Sequence, residues 1–246
     1  MTAVPEPITA TAPRAVRRPV FRQHWGDLTF LHWTVDPAAV APLLPPGTRP
    51  DLLDGQTWVG LVPFEMSRVR ILGTPALPYL SRFAETNVRL YAVDDQGRRG
   101  VVFRSLEAAR QLPVLAAQVG YHLPYRWARM SLERDADRRT YSTWRRWPGP
   151  RGAGGSQQVR IGARLEPDEL AHFLTARWGL FSRWYAGRTA WAPVDHEPWT
   201  LHSAELLSLS DDLITTAGLP KPVGTPHVMW SPGVSVAIGR PELLPR

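Results

Sequence analysis

The sequence contains no cysteine and a single lysine, Lys221, among its 29 basic residues. The lack of cysteine excludes disulfide bonds, thiolate metal sites and a cysteine nucleophile. The single lysine leaves one side chain that could form a Schiff base. No apolar run approaches the roughly 18 residues of a membrane-spanning helix. Residues 1–20 also lack the apolar stretch of a secretory signal, so we expect a cytoplasmic location, in agreement with the missing cysteine.

Several familiar site motifs are also missing. The sequence has no glycine-rich nucleotide-binding pattern, no His-Glu-x-x-His and no Gly-x-Ser-x-Gly. Its seven histidines do not form a tight ligand spacing, although His196 and His202 lie six residues apart. The sequence therefore predicts neither a cofactor nor a metal site.

The net charge of +7 raises the question of a nucleic-acid partner. The arginines are spread along the chain and do not form a short basic run, and net charge alone speaks only to nonspecific association. We therefore expect no nucleic-acid partner and no membrane partner. A small-molecule ligand is expected instead, and a homo-oligomer is left open.

The chain has 246 residues, of which 43% are hydrophobic, and this is enough for one sizeable core. Residues 1–20 are predicted to be a flexible arm, followed by a single domain over residues 21–246. Many short apolar segments separated by Gly and Pro predict a mostly antiparallel α+β fold. Short helices are predicted after Asp36, over 112–118, over 166–178 and over 213–217.

One predicted strand carries a polar face. Over residues 83–93 the pattern alternates with period two, which places Glu85, Asn87 and Arg89 on one face and apolar residues on the other. If the polar face is interior, the carboxyl group has a raised pKa unless an arginine pairs with it. The face would then suit acid–base chemistry on a small anion. The alternative is an exposed face with a cross-strand ion pair.

Three further polar–aromatic segments are candidates for a pocket wall. Tyr125 could donate a proton and Arg126 could hold a carboxylate, or the segment 122–127 could be a proline-bent connection with its rings in the core. The segments containing His32 and His196 could line a pocket, or their imidazoles could be satisfied within the core.

Together, nine short segments resemble the DUF2071 (YqjF-like) family of uncharacterised bacterial proteins. They occur in order, at residues 31–33, 43–47, 54–60, 63–64, 83–89, 102–106, 123–125, 173–175 and 196–199. Where that family usually has Thr-Tyr-Val, this chain has Leu90-Tyr91-Ala92, a departure that concerns packing. The family in turn is similar to acetoacetate decarboxylase. The resemblance implies a β-rich cone or barrel with a buried pocket and a few outer helices.

The same resemblance implies roles for two glutamates and argues against a Schiff-base mechanism. Glu85 resembles the pocket acid of the decarboxylase, and Glu107 lies in a segment similar to its later Arg-Glu segment. The decarboxylase has Pro-Lys-Lys, whose first lysine forms the Schiff base, where this chain has Pro124-Tyr125-Arg126. Tyr125 cannot form an imine, and Lys221 does not match the site. Schiff-base decarboxylation is therefore not expected.

The sequence thus predicts an acetoacetate decarboxylase-like domain with a pocket for a small anionic or carbonyl-bearing molecule. As an enzyme it would use Glu85 as general acid and base and Tyr125 as proton donor, for enolisation, hydration or lyase chemistry. The residues expected to bind the substrate are Arg89, Arg126, Asn87, His32, Glu107 and His196. The alternatives are a non-catalytic binding or sensing protein that retains the pocket, and a basic interaction protein whose interior is filled.

Overall fold

We analysed a computed structural model of the chain, which describes residues 3–71, 82–110 and 121–245. The helix expected over residues 112–118 and the end of the extended segment expected over residues 69–76 lie outside the described residues. Within these residues, the structure is built mainly from long antiparallel strands, with three short α-helices. The strands are β1 (Phe21–Val35), β2 (Thr48–Pro50), β3 (Thr57–Ile71), β4 (Phe83–Asp94), β5 (Arg99–Ala108), β6 (Tyr125–Asp135), β7 (Arg138–Trp147), β8 (Gly154–Leu165), β9 (Gly179–Arg183), β10 (Thr189–His196), β11 (Leu201–Asp211), β12 (His227–Ile238) and β13 (Glu242–Leu243). The α-helices are α1 (Pro37–Val40), α2 (Glu169–Thr175) and α3 (Leu213–Thr216), with 3₁₀ turns at Ala41–Leu43 and Tyr185–Gly187.

The strands pair into two closed rings that share a wall. The first, here called the cavity ring, contains β1, β3, β4, β5, β9, β10 and β12. The second ring uses β1, β3, β4, β5 and β12 again and closes through β6, β7, β8 and β11. Most neighbours are antiparallel, and the exceptions are the pairings of β5 with β6 and with β9. The predicted fold class, mostly antiparallel α+β, is confirmed.

Strand β4 belongs to the shared wall and is buried on both faces. Its Phe83 and Tyr91 belong to one hydrophobic cluster, while Val88, Leu90 and Ala92 belong to another on the opposite face. The predicted alternation is therefore present, but both sets of side chains face an interior. The alternative of a solvent-exposed polar face on this strand is excluded, since Glu85 is only 2% exposed.

Helices α1 and α3 begin where the sequence predicts them, whereas α2 begins at Glu169, three residues later than expected. The Asp36 carboxylate accepts a hydrogen bond from the N–H of Ala38, and Asp168 caps α2 in the same way through Ala171. Helix α2 ends at Thr175, however, so Trp178 does not continue its apolar face. Helix α3 is followed by Gly218 at φ +91°, a left-handed conformation that glycine adopts at helix ends without steric cost.

The carboxy-terminal half contains the largest differences from the sequence-based expectation. Strands β9 and β10 were not predicted, although together they close the cavity ring. The sequence also predicts two strands, over residues 228–230 and 234–238, and these form the single strand β12, whose pairing with β1 skips Pro232 next to Gly233. This glycine has φ +130°, and a Cβ there would lie 2.1 Å from the Trp25 carbonyl oxygen, so a side chain is excluded.

Residues 3–20 form no helix or strand, but they contact the domain at several points. The N–H of Glu6 donates to the Gly97 carbonyl over 2.8 Å, and the indole N–H of Trp178 donates to the Thr9 carbonyl over 3.2 Å. The N–H of Val16 donates to the Asp195 carboxylate over 3.2 Å. The mobility expected for residues 1–20 stays a prediction.

Candidate functional site

An enclosed cavity of about 60 Å³ lies inside the cavity ring, with room for several water molecules. Every strand of that ring contributes to its wall, and α2 approaches it through Thr175. The apolar wall includes Trp25, Phe64 and Trp199. Its polar residues are Gln23, Glu85, Asn87, Arg89, Tyr125, Thr175, Arg177 and His196. A mostly apolar cavity with a few converging polar groups is the usual form of a small-molecule site.

Glu85 and Tyr125 meet at this cavity although they are 40 residues apart in sequence. Tyr125 is the first residue of β6 and pairs with Leu106 of β5, while Glu85 pairs with Ala108 of the same strand. The phenol donates a hydrogen bond to Oε2 of Glu85 over 3.3 Å. Oε1 makes no hydrogen bond to any residue that the structure describes, so this oxygen is left for a molecule in the cavity.

The pKa of Glu85 is raised from 4.5 to about 8, mainly by burial; the hydrogen bond from Tyr125 opposes this rise and the charge of Glu107 adds to it. No described arginine forms an ion pair with this carboxyl group, and Arg89, four residues away on the same face, bonds elsewhere. Burial, together with the nearby Glu85 carboxyl, also raises the pKa of Tyr125 well above 10. Both groups are therefore mostly protonated at neutral pH.

Arg89 is held by its neighbours with part of its guanidinium group unused. Its Nε donates to the Tyr91 hydroxyl over 3.0 Å and its Nη2 to the Leu174 carbonyl at the end of α2 over 2.8 Å. Nη1 has no acceptor among the described residues. Since Arg89 is only 6% exposed and lines the cavity, this N–H group is available to a ligand there.

His32 forms a hydrogen bond with the Tyr91 hydroxyl. Tyr91 donates its only hydrogen to the Leu174 carbonyl over 2.9 Å. Nε2 of His32, which lies 2.6 Å from the hydroxyl oxygen, must therefore be the donor in the contact between the two side chains. Burial, and then the charge of Arg89, lower the pKa of His32 well below 6.5. His32 is thus a neutral core residue behind Tyr91 and does not line the cavity, in contrast to the sequence-based expectation.

Replacing Tyr91 with phenylalanine is expected to destabilise the protein by about 1–3 kcal/mol, because the His32 and Arg89 donors would be left without an acceptor in a buried position. Urea denaturation of the wild type and the variant measures this difference. A change below about 0.5 kcal/mol would show that the hydroxyl does not organise these groups. Tyr185→Phe, at an exposed tyrosine, provides the matched control.

A second cavity arginine, Arg177, was not anticipated from the sequence. Its Nη1 pairs with Asp51 at 2.5 Å and its Nε donates to the Phe173 carbonyl, while Nη2 is buried with no partner among the described residues. Asp51 also pairs with Arg99 at 2.5 Å. Arg177 and Asp51 are 126 residues apart, and nothing in the local sequence of either residue indicates the pair.

Two further polar residues of the cavity, Asn87 and His196, were predicted from the sequence. Oδ1 of Asn87 is buried without a partner among the described residues. Burial lowers the pKa of His196 to about 4, so the imidazole is neutral. Its Nδ1 contacts the Glu197 carbonyl at 2.7 Å and must be the donor, which leaves Nε2 as an acceptor. The ring lies between those of Trp178 and Trp199.

Arg126 of β6 and Glu107 of β5 point away from the cavity. Adjacent residues of a strand point to opposite faces, so Tyr125 and Arg126 cannot both line the cavity, and Glu107 follows the cavity residue Leu106 for the same reason. Glu107 is fully buried and receives two hydrogen bonds from Arg145. The placement of Arg126 and Glu107 in the pocket is therefore corrected, because their strands direct them to the other side.

Two other groups bear on the chemistry. Lys221 is exposed and does not line the cavity. Within residues 3–71, 82–110 and 121–245, no three His, Asp or Glu side chains come together as a metal site.

None of the helices in the same residues has the length and apolar character to span a membrane.

Comparison with known proteins places the chain in a family. Residues 22–235 match the model of DUF2071, described as an uncharacterized conserved protein. The chain is 32% identical over 214 residues to the uncharacterized protein YqjF of Bacillus subtilis (strain 168), covering 86% of this chain and 87% of YqjF. The sequence and its structure together therefore assign the chain to the DUF2071 family.

Solved structures agree on the fold at low identity. One is the enduracididine biosynthesis enzyme MppR complexed with pyruvate, with a TM-score of 0.66 and 17% identity over 95% of this chain and 93% of MppR. Another is an acetoacetate decarboxylase-like enzyme from Sphingomonas wittichii RW1, with a TM-score of 0.64 and 12% identity over 95% and 96% of the two chains. The chain is thus a member of the DUF2071 family, and its fold is that of acetoacetate decarboxylase-like enzymes.

Proposed function

We propose that the cavity binds a small organic anion with a carbonyl or hydroxyl group, and that Glu85 exchanges a proton with it. The observation that carries this proposal is the buried carboxyl group of Glu85, which accepts a hydrogen bond from Tyr125, lines the cavity and has a pKa raised to about 8 by burial. A general acid and base works best when its pKa lies near the operating pH. With a pKa of about 8, roughly one Glu85 in ten is ionised at pH 7, so both protonation states are accessible.

The charge around the cavity supports an anionic ligand. Arg89, Arg99 and Arg177 are opposed by the single carboxylate of Asp51, since Glu85 is mostly neutral. Arg89 and Arg177 each keep a donor that no described residue uses. Buried charge without a counter-ion is costly. A carboxylate or enolate in the cavity would supply the missing acceptor and the missing negative charge.

The arrangement supports proton-transfer chemistry that does not pass through an imine, because the only lysine lies outside the cavity. Glu85 would remove or return a proton next to the carbonyl group of the ligand, and Tyr125 would stabilise the oxygen on which charge develops. Enolisation, hydration and lyase reactions all need this pair of roles. The structural neighbour MppR was solved with pyruvate, so 2-oxo acids are the first ligands to test.

The test combines binding and proton exchange. Small 2-oxo, 3-oxo and hydroxy acids are screened by thermal shift, since a ligand at 100 times its Kd adds about 2.7 kcal/mol of stability. Any acid that binds is then incubated in D₂O, and loss of its α-proton signal by NMR reports enolisation. We expect Glu85→Gln to reduce exchange by about 100-fold or more and Tyr125→Phe by about tenfold or more.

Matched variants keep the test specific. Glu65→Gln makes the same change at a carboxylate that pairs with Arg82 and Arg134 away from the cavity. Tyr121→Phe removes the hydroxyl group from a tyrosine that donates a hydrogen bond to the Gly239 carbonyl. Neither should alter exchange. Binding without exchange in the wild type would favour the non-catalytic binding protein. Exchange that survives both cavity substitutions would show that the acid–base assignment is wrong.

A further inference from the structure

A second recess of about 370 Å³, here called the vestibule, adjoins the cavity and is more open to solvent. Gln23 and His196 line both spaces, so they form the boundary between them. The vestibule also contains three arginines, Arg22 of β1 and Arg68 and Arg70 of β3. The cavity therefore borders a basic space that is several times larger than itself.

A strand irregularity shapes the arginine side of the vestibule. Arg22 pairs with Arg70 and His24 pairs with Ser67, so β3 has one residue more than β1 between these pairs. Arg68 lies in this bulge at φ +54°, a left-handed conformation that is unfavourable for a residue with a side chain. Such strain persists only where the surrounding structure enforces it, and it concentrates at binding and catalytic sites.

The three arginines have no carboxylate partner among the described residues. The vestibule also contains Asp195 and Glu197, but the Asp195 carboxylate accepts a hydrogen bond from the N–H of Val16. His24 has a buried Nδ1 without a partner in the described part of the chain, and burial, followed by the charge of Arg68, lowers its pKa. Three arginines and two carboxylates give the vestibule a net charge of about +1, and no carboxylate among the described residues pairs with the guanidinium groups, a combination that suits an oxyanion.

We propose that the vestibule binds a second oxyanion, a carboxylate or phosphate, at the far end of the ligand whose reactive end occupies the cavity. This inference rests on the proposed function, and it narrows the ligand to an elongated dianion. Gln23 and the neutral His196, with Nε2 free to accept, would contact the uncharged middle of such a molecule. The arginines would recognise its tail and contribute no proton to the reaction.

The vestibule can be tested on its own with inorganic pyrophosphate as the probe. At constant ionic strength, pyrophosphate should raise the melting temperature of the wild type and should have no such effect on Arg22→Gln/Arg70→Gln. Neither of these residues lines the cavity. Arg138→Gln/Arg151→Gln removes the same charge from two exposed arginines outside the vestibule and should respond like the wild type. An equal response in all three proteins, or none in any, would overturn the proposal, because the three arginines would then not form an anion site.

The link to the cavity is tested with matched ligands by calorimetry. 2-Oxoadipate and 2-oxohexanoate differ only in the terminal carboxylate, and the corresponding ω-phosphonate tests a phosphate-like tail. We expect the wild type to bind one dianion at least about tenfold more tightly than the monoanion, and the double variant to lose this preference. Whichever dianion binds better identifies the tail. If pyrophosphate binds as expected but no oxo acid does, the proposed cavity ligand is wrong and the anion site remains. A preference that survives in the double variant would contradict the inference.

Discussion

Replacing Glu85 with glutamine should remove a pH dependence of stability that the wild type shows between about pH 4.5 and 8. The folded-state pKa of about 8 exceeds the unfolded value of 4.5, so the folded protein holds the extra proton in this window. The stability contributed by the protonated carboxyl group is fully present below pH 4.5 and decreases as the pH rises towards 8. Each pH unit should change the folding equilibrium constant by about tenfold.

The measurement is urea denaturation of both proteins at several pH values from 5 to 8, with the difference between them as the result. The difference is needed because His196 acts in the opposite direction: its lowered pKa makes the wild type more stable as the pH rises from about 4 to 6.5. That contribution is common to both proteins and cancels. Glu65→Gln should give a much flatter difference curve. A flat curve for Glu85→Gln would mean that the buried carboxyl group is ionised in the folded protein.

Replacing Arg145 with glutamine should destabilise the protein by about 3–5 kcal/mol, because it leaves the Glu107 carboxylate buried without a counter-ion. Glu107 is fully buried and Arg145 is 2% exposed, and the guanidinium group donates two hydrogen bonds to the carboxylate, at 2.5 and 3.1 Å. Replacing both residues with glutamine removes both charges, so the double variant should recover much of the loss. A double-mutant cycle based on urea denaturation measures the coupling.

The exposed pair of Arg160 and Glu205 provides the comparison, since its removal should cost no more than about 1 kcal/mol. There is also a second readout for Arg145→Gln. The charge of Glu107 raises the pKa of Glu85, so an unneutralised Glu107 should shift the titration of Glu85 to higher pH. A loss below about 1 kcal/mol in Arg145→Gln would show that Glu107 takes up a proton or reaches another partner.

Local features of the fold follow directly from the sequence. The alternation over residues 83–93 correctly predicts β4, and Asp36 caps the helix that was expected to follow it. The pattern cannot show that β4 is shared by two rings, because this depends on pairings between strands far apart in the chain. Strands β9 and β10 were missed although they pair mainly with each other, and their place in the ring depends on a few pairings with β5 and β12 that lie far apart in the chain.

The candidate site was also predictable only in part from the sequence. The alternation places Glu85, Asn87 and Arg89 on one face, and the polar–aromatic segment over residues 122–127 adds Tyr125; all four line the cavity. The alternation could also have separated Tyr125 from Arg126, since neighbours along a strand face opposite sides. Arg177 could not be found in this way, because its partner Asp51 lies 126 residues earlier and only the folded chain brings them together.

The wall between the two rings limits how the shape of the cavity can change. Residues 85, 87 and 89 face the cavity from a strand whose reverse side packs Thr86 against Thr143 and Val88 into another core. A substitution that enlarges or tilts one side therefore disturbs the packing of the other. Strands β9 and β10 belong to the cavity ring alone. Substitutions that change the shape of the cavity, whether engineered or natural, should be tolerated best at Leu180 and Val194.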